Sequence, residues 1–342
     1  MSTIKPLATA DTVSTRTLLN EVIPLTGTIV SGTYNDNNIK NYAHQMFQSV
    51  YDYPYLSSSA NHIFDVTLGY SSVSSLSSST NTQNSKKINI YNQMAQLLVG
   101  YDTTSAIQRF DQDGDLASGG TKNDAAFFLS FSRLLSKDEI KKGSFTLQVL
   151  TGGLNSSPSN VLTISDYGAS TDYRTNSPAG EFGILYTSSA AVDGTGVGLI
   201  YYQAGIAVVT ASIFNGNFGP RSDSSTYTGS ITNYFASGSI TGSCNGLRNR
   251  LYNVQFNNTT ELNSTVYFCR ANHNEFNYST NPTYLSGGQI IVKNNATDAP
   301  VSYITTVGLY SADNELLAVA KLSEPLKKSI DNELTVRVRL DY

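Results

Sequence analysis

The end of the chain sets the strongest constraint. From Leu334 through Thr335, Val336, Arg337, Val338, Arg339, Leu340 and Asp341 to Tyr342, apolar and polar side chains alternate. Period two puts Leu334, Val336, Val338 and Leu340 on one face of a strand and Thr335, Arg337, Arg339 and Asp341 on the other. Upstream, Tyr303–Tyr310 is rich in β-branched and aromatic residues, Ser311–Asn314 supplies turn chemistry, and Leu316–Leu322 is a further apolar run. The short connection predicts an antiparallel pair, and the three runs together predict a meander that ends the chain inside a sheet. A terminus built this way is ordered rather than frayed.

Earlier segments mix periods. Residues 1–14 are small and polar, an arm. Val22–Val30 reads as a short strand or an extended arm. Between Asn37 and Val50, Ile39, Tyr42, Ala43, Met46, Phe47 and Val50 fall at helical spacing, which predicts an amphipathic helix stopped before Pro54, with His44 off the stripe and exposed. Residues 62–70 read as a strand, and Ser71–Asn84, almost wholly Ser, Thr, Asn and Gln, as a surface loop. Lys86–Val99 predicts a second helix along Ile88, Tyr91, Ala95 and Leu98, ended by Gly100. Phe127–Leu135 returns to period two, Ser136 and Glu139 have capping-box spacing for one helical turn, and Phe145, Leu147 and Val149 share a strand face. Gly152–Ser177 is rich in Gly, Ser, Asn and Pro and suggests a soft boundary, with a mixed domain over 1–151 and a β-rich domain over 152–342. Phe182–Tyr186 and Gly198–Phe214 are β-rich runs joined through Asp193–Gly196. Asn215–Tyr227 is an irregular, partner-facing loop, and Tyr252–Phe256 and Ser264–Ala271 lead into the C-terminal sheet. The fold class expected is α+β, mostly antiparallel β with two or three short helices in the N-terminal half. No fixed-period repeat is visible, which argues against a propeller or solenoid.

Composition narrows the partners. Only 14% of the 342 residues are charged, against about 25% in an average soluble domain, and polarity comes from Ser, Thr, Asn, Gln and 22 tyrosines. Such a neutral, aromatic surface suits stable contact with protein, although strands also use Tyr and Thr in their own core. A net charge of −4 gives no footprint for nucleic acid, and the basic clusters are only pairs, Lys86-Lys87, Lys141-Lys142 and Lys327-Lys328. No run has the length of a membrane span, and Met1–Val13 lacks the apolar core of a signal peptide, so a cytoplasmic product is expected. Cys244 and Cys269 exclude a disulfide framework, and the sequons at Asn258 and Asn263 reflect high Asn, Ser and Thr content.

Several stretches carry a family resemblance. They are Tyr267–Ala271, Glu275–Ser279, Asn281–Tyr284, Pro300–Tyr310, Asn314–Ser323 and Pro325–Lys328, with Lys86–Gln96, Phe110–Leu116 and Leu135–Phe145 further upstream. Together they resemble virion structural proteins of tailed bacteriophages, the T4-like phages of marine bacteria in particular. The likeness touches most of the chain and is weakest over about 152–258. It implies a tail, baseplate or neck assembly protein made in the host cytoplasm and carried in the virion. Its partners would be other virion proteins in a symmetric assembly of multiple copies. The alternatives are a glycan-binding fibre tip or a capsid decoration protein. It brings no catalytic motif.

The chemistry-bearing constellations are few. Asp111, Asp113 and Asp115 sit at alternate positions in a Gly-containing loop, as calcium ligands do. Gly114 comes two positions early and the twelfth position is Lys122 rather than Glu, so an ordinary Asp/Gly turn fits better and calcium is the alternative; no other cofactor is expected. Gly194–Gly198 lacks the Lys-Ser/Thr of a phosphate loop. His273 with Glu275 invites an acid/base reading, but in the assembly reading His273–Tyr284 is a loop locked by side-chain hydrogen bonds. No nucleophile arrangement has convincing context, and no enzymatic activity is expected. The interface candidates are Ser71 and Asn84, which bracket the polar loop, Tyr278, Tyr284, Arg337 and Arg339. The polar loop and the N-terminal arm are the segments expected to order on assembly.

Overall fold

The structure, a computed structural model, describes residues 4–24, 36–115, 119–151, 160–187, 195–214, 230–278, 285–286, 289–290, 297 and 300–342. The chain is mostly antiparallel β with a minority of helix, the α+β class expected. It divides into two units, Leu19–Thr260 and a second composed of Met1–Leu18 with Glu261–Tyr342. Position 151 therefore lies inside the Leu19–Thr260 unit.

The larger unit is built on a seven-stranded antiparallel sheet. Its strands are β2 (Ile39–Asn41), β3 (Gln48–Tyr51), β4 (His62–Tyr70), β5 (Ala125–Phe131), β9 (Phe182–Leu185), β10 (Gly198–Tyr201) and β11 (Ile206–Thr210), in the spatial order β2-β3-β4-β5-β11-β10-β9. The inner strands do not alternate in burial. Ile206–Thr210 and Gly198–Tyr201 are buried throughout, so both faces of the sheet are covered. Helix α1 (Asn84–Leu98) lies on β4. It buries Lys87, Ile90, Tyr91, Ala95 and Leu98, at helical spacing, and Gly100, at φ +88°, ends it. The approach is close because position 69 is glycine: a Cβ there would stand 2.6 Å from the Lys87 carbonyl oxygen.

The same unit contains β6 (Glu139–Ile140), β7 (Thr146–Leu150) and β8 (Val161–Ser165), with the first part of a long strand, β12 (Leu251–Ala271). β12 pairs antiparallel with β7 at Leu251–Gln255 and with β6 at Asn258 and Thr259. Phe131, Phe145 and Phe256 meet with centroids 5.1 to 6.4 Å apart, joining β5 to the β7 and β12 layer.

Three expectations give way here. Residues 39–50 are a β hairpin, not a helix. Ile39 pairs with Val50, and Gln45, at φ +55°, turns the chain between them. The helical spacing was real, but Gln48–Val50 also pairs with Val66–Phe64 of β4, and that pairing decides the conformation. Ser136 ends rather than caps a helical turn, α2 (Arg133–Ser136), whose first residue follows Ser132. Two further helices, α3 (Ile231–Ala236) and α4 (Ile240–Arg248), lie in the C-terminal half where none was expected. Ser230 and Ser239 cap them through the backbone N–H of Asn233 and Gly242.

In the smaller unit, the second part of β12 pairs antiparallel with β17 (Leu334–Asp341) from Ser264↔Asp341 to Ala271↔Leu334. β17 shows the alternation read from sequence, with Val338 buried and Thr335, Arg337, Arg339 and Asp341 exposed. β1 (Thr12–Pro24) begins in this unit, where Ser14 Oγ and Thr265 Oγ1 are 3.0 Å apart. β13 (Leu285–Ser286) and β14 (Gln289–Ile290) make a short antiparallel pair, and β15 (Val301–Tyr310) and β16 (Leu316–Ser329) form the expected antiparallel pair. They do not continue into a meander, because β17 joins β12 and leaves β15–β16 a two-stranded sheet.

Candidate functional site

The feature that stands apart is the β15–β16 ribbon. Tyr303, Tyr310, Leu316, Leu317 and Val319 are all large and exposed, Leu317 at 68% and Tyr303 at 65%. A two-stranded sheet alone in water is marginally stable at best. The unit that carries it has almost no core: among its described residues, Ala271 and Val338 are the only buried apolar side chains. The contiguous hydrophobic core belongs to the other unit.

The base of the ribbon is fixed by polar contacts instead. Lys328 is fully buried, and its Nζ donates to Asn277 Oδ1 at 2.6 Å, to the Ser329 carbonyl at 2.7 Å and to the His273 carbonyl at 3.3 Å. Three acceptors match the three N–H bonds of an ammonium. Asn277 Nδ2 donates back to the His273 carbonyl at 2.7 Å, and Glu275 Oε2 accepts from the Asn272 backbone N–H at 3.0 Å and from Lys5 Nζ at 2.5 Å. The Glu275 carboxyl is held below the ordinary range, chiefly by the Lys5 hydrogen bond and then by the Asn272 N–H. The N-terminal segment is tied down again where Asp11 Oδ1 meets Arg270 Nε at 2.7 Å. The His273 ring faces Glu333 at 3.4 Å in the open, while the Glu275 carboxylate is held by Lys5 and the Asn272 N–H. The described part of the His273 loop, residues 273–278, is a turn closed by side-chain hydrogen bonds.

The other sequence candidates fall as follows. Arg339 is exposed and donates to Asp341 Oδ1 at 2.8 Å and to Ser264 Oγ at 3.0 Å; Arg337 is exposed on the same face of β17. Tyr278 is exposed, and Tyr284 lies outside the described residues. Ser71 is buried, its N–H donating to the Asp124 carbonyl at 2.8 Å, so it offers no surface, and Asn84 Oδ1 accepts from Tyr70 Oη at 2.7 Å. The loop between them is a string of reverse turns, closed by N–H to carbonyl bonds from Ser74 to Ser71, Ser77 to Ser74 and Asn81 to Ser78. Leu25–Val30 of the first predicted strand, Asp193 and Gly194 of the proposed hairpin and all of Asn215–Tyr227 also lie outside the described residues.

Asp111, Asp113 and Asp115 do come together, with one carboxylate oxygen of each within 4.8 Å of the others. Asp111 is buried and its carboxylate is ion-paired to Lys122. The residue at the twelfth position thus brings an ammonium to the first ligand position, where a calcium loop would bring a second carboxylate. A tethered cation already neutralises the innermost carboxylate, and the donor set fits an Asp/Lys-closed turn better than a calcium cage.

Two buried polar sites escaped sequence reasoning. Lys87 Nζ donates to the carbonyls of Phe235 and Gly238 at 2.9 and 2.8 Å, and burial pulls its pKa down to about 8. Asp166 accepts from Gly143 N–H, Phe145 N–H and Tyr202 Oη, and burial pushes its carboxyl up to about 6. A lysine on the apolar stripe of α1 was the available signal for the first; the second depends on long-range contacts and had none. There is also an open cleft of about 570 Å³ lined by Gln96, Tyr101, Gln108, Asn176 and Pro178 among others.

No protein-family model matches the chain, and neither a curated protein nor a solved structure matches it.

Proposed function

We propose that the protein is a structural component of a tailed-phage virion, a tail, baseplate or neck assembly protein that acts through subunit contacts rather than catalysis. Its partners on this reading are other virion proteins, in multiple copies. The observation that carries the proposal is the exposed β15–β16 ribbon on a unit nearly devoid of buried apolar side chains. Such a unit gains its stability when another surface covers the ribbon, and that is how an assembly protein differs from a self-sufficient domain. The resemblance of Pro300–Tyr310 and Asn314–Ser323 to virion proteins falls on the same ribbon.

The test is immunogold labelling of intact and contracted particles with an antibody to the folded protein. Label at the distal tail supports a baseplate role, label at the head–tail junction a neck role, and label around the head a capsid decoration. Absence of the protein from purified virions overturns the proposal. The glycan-binding alternative has one observation in its favour, the neutral cleft whose amides and Tyr101 suit a sugar. Deleting the N-terminal arm abolishes incorporation on the assembly reading and spares glycan binding on the other.

A further inference from the structure

The ribbon has two outer edges, and they differ in chemistry. β16 is guarded in the ways natural edge strands are guarded: it carries Lys321, Glu324 and Lys327, contains Pro325, and breaks register with β15 between Ile304 and Thr306. β15, Val301–Tyr310, has no charged residue and no proline. Among the described residues its second edge has no partner strand. An unguarded edge of this length is a template for a further strand.

Charge identifies the occupant. When a strand pairs with its own copy, like charges come to lie beside one another and destabilise the pair. β17, with Arg337 and Arg339, and β16, with Lys321 and Lys327, meet that penalty; β15 does not. Its central residues Ile304, Thr305, Thr306 and Val307 are β-branched and form favourable cross-strand pairs with themselves. We propose that β15 adds antiparallel to β15 of a second copy of this chain about a local two-fold axis. The product is a four-stranded sheet in the order β16-β15-β15-β16, beyond the two-strand limit that leaves the ribbon marginal alone. The inference deepens the assembly reading and rests on the ribbon being a contact surface.

The experiment places single cysteines at Tyr303, Thr305, Thr306, Val307 and Gly308 in full-length protein carrying Cys269→Ser, and oxidises each under mild conditions. A two-fold axis predicts a disulfide-linked homodimer that peaks at one central position and falls off on both sides. Thr306→Lys, read by sedimentation without oxidation, is expected to weaken self-association at least tenfold, with circular dichroism checking that the fold is kept. Protein that stays monomeric and cross-links at no position overturns the pairing. If it does so while Thr306→Lys still blocks incorporation into particles, a strand from a different protein covers β15 and the assembly reading stands. If homodimers form but purified virions lack the protein, the pairing stands and the assembly reading fails.

Discussion

Replacing Asp166 by Asn tests whether a buried carboxylate limits stability at neutral pH. Asp166 follows β8, is 1% exposed, and accepts Gly143 N–H at 2.7 Å, Phe145 N–H at 3.0 Å and Tyr202 Oη at 3.0 Å. Burial pushes its pKa up to about 6, and the three donors offset part of that penalty. In the unfolded chain the ordinary value is about 3.9. The folded state therefore binds this proton more tightly, so the group's contribution is fully present below about pH 4 and is lost as pH rises through about 6. Two pH units correspond to about 3 kcal/mol. Asp166→Asn cannot ionise, but its amide faces Gly143 N–H without accepting from it, a loss of about 1–3 kcal/mol at all pH values. Wild type should be the more stable near pH 4, and the advantage should shrink by about 3 kcal/mol by pH 7, to parity or below. The assay is urea unfolding of the Leu19–Thr260 unit at half-unit pH steps, taken as a difference between the two proteins. Asp102, whose carboxyl is held low by hydrogen bonds from Thr104 and Ala106, titrates in the opposite sense but cancels in the difference. A difference that is flat from pH 4 to 7, or that grows in favour of wild type, refutes the reasoning.

Gly69→Ala would set a Cβ 2.6 Å from the Lys87 carbonyl oxygen and 2.8 Å from the Tyr91 nitrogen, both helix backbone, and should cost about 1–3 kcal/mol in urea unfolding. Lys87→Met removes a group whose pKa is lowered to about 8 by burial, so wild type should gain stability relative to the variant as pH rises from about 8 to 10, followed by the denaturation midpoint. Lys122→Gln leaves the buried Asp111 carboxylate without its ion-pair partner and should destabilise by about 3–5 kcal/mol. Millimolar calcium should then restore part of the loss in the variant while leaving the wild-type melting temperature unchanged, as read by differential scanning fluorimetry.

Legibility followed how local each signal was. The helix at Asn84–Leu98, the strands at His62–Tyr70 and Thr146–Leu150, and the alternation of β17 rest on short-range periodicity, and they stand where the sequence places them. The 39–50 segment has helical spacing and strand pairing in competition, and the neighbour β4, far from local, decides it. The α3–α4 pair was readable in principle. Ser230 and Ser239 precede Ile231, Tyr234 and Phe235 and then Ile240, Cys244 and Leu247 at helical spacing, but Gly, Ser and Asn between them hide the pattern. β12 looked like two strands because Asn257, Asn258, Thr259 and Thr260 interrupt its apolar run. Those residues are pairing positions instead: Asn258 opposes Ile140, and its side chain accepts from Glu21 N–H at 3.1 Å. Among the site candidates, Lys122 was visible only as a departure from a calcium loop. Its role as the counter-ion of Asp111 needs the isolated bridge that sets the two residues opposite each other.

The contrast between β17 and the ribbon is itself an argument about assembly. β17 separates apolar from polar side chains cleanly, and its own sheet buries the apolar set in part, Val338 fully. In the ribbon no such separation holds: Val307 pairs with Ala320 and Leu309 with Ala318, while Tyr303, Tyr310, Leu316, Leu317 and Val319 stay exposed. A strand apolar on both faces belongs inside a sheet covered on both sides. Of the exposed five, pairing along the β15 edge brings only Tyr303 and Tyr310 beside the new strand, while Leu316, Leu317 and Val319 stand on β16, one strand away. The hydrogen bonds along β15 then decide the outcome, which is why a lysine at Thr306, on an edge that natural strands would guard, is the change to which self-association should be most sensitive.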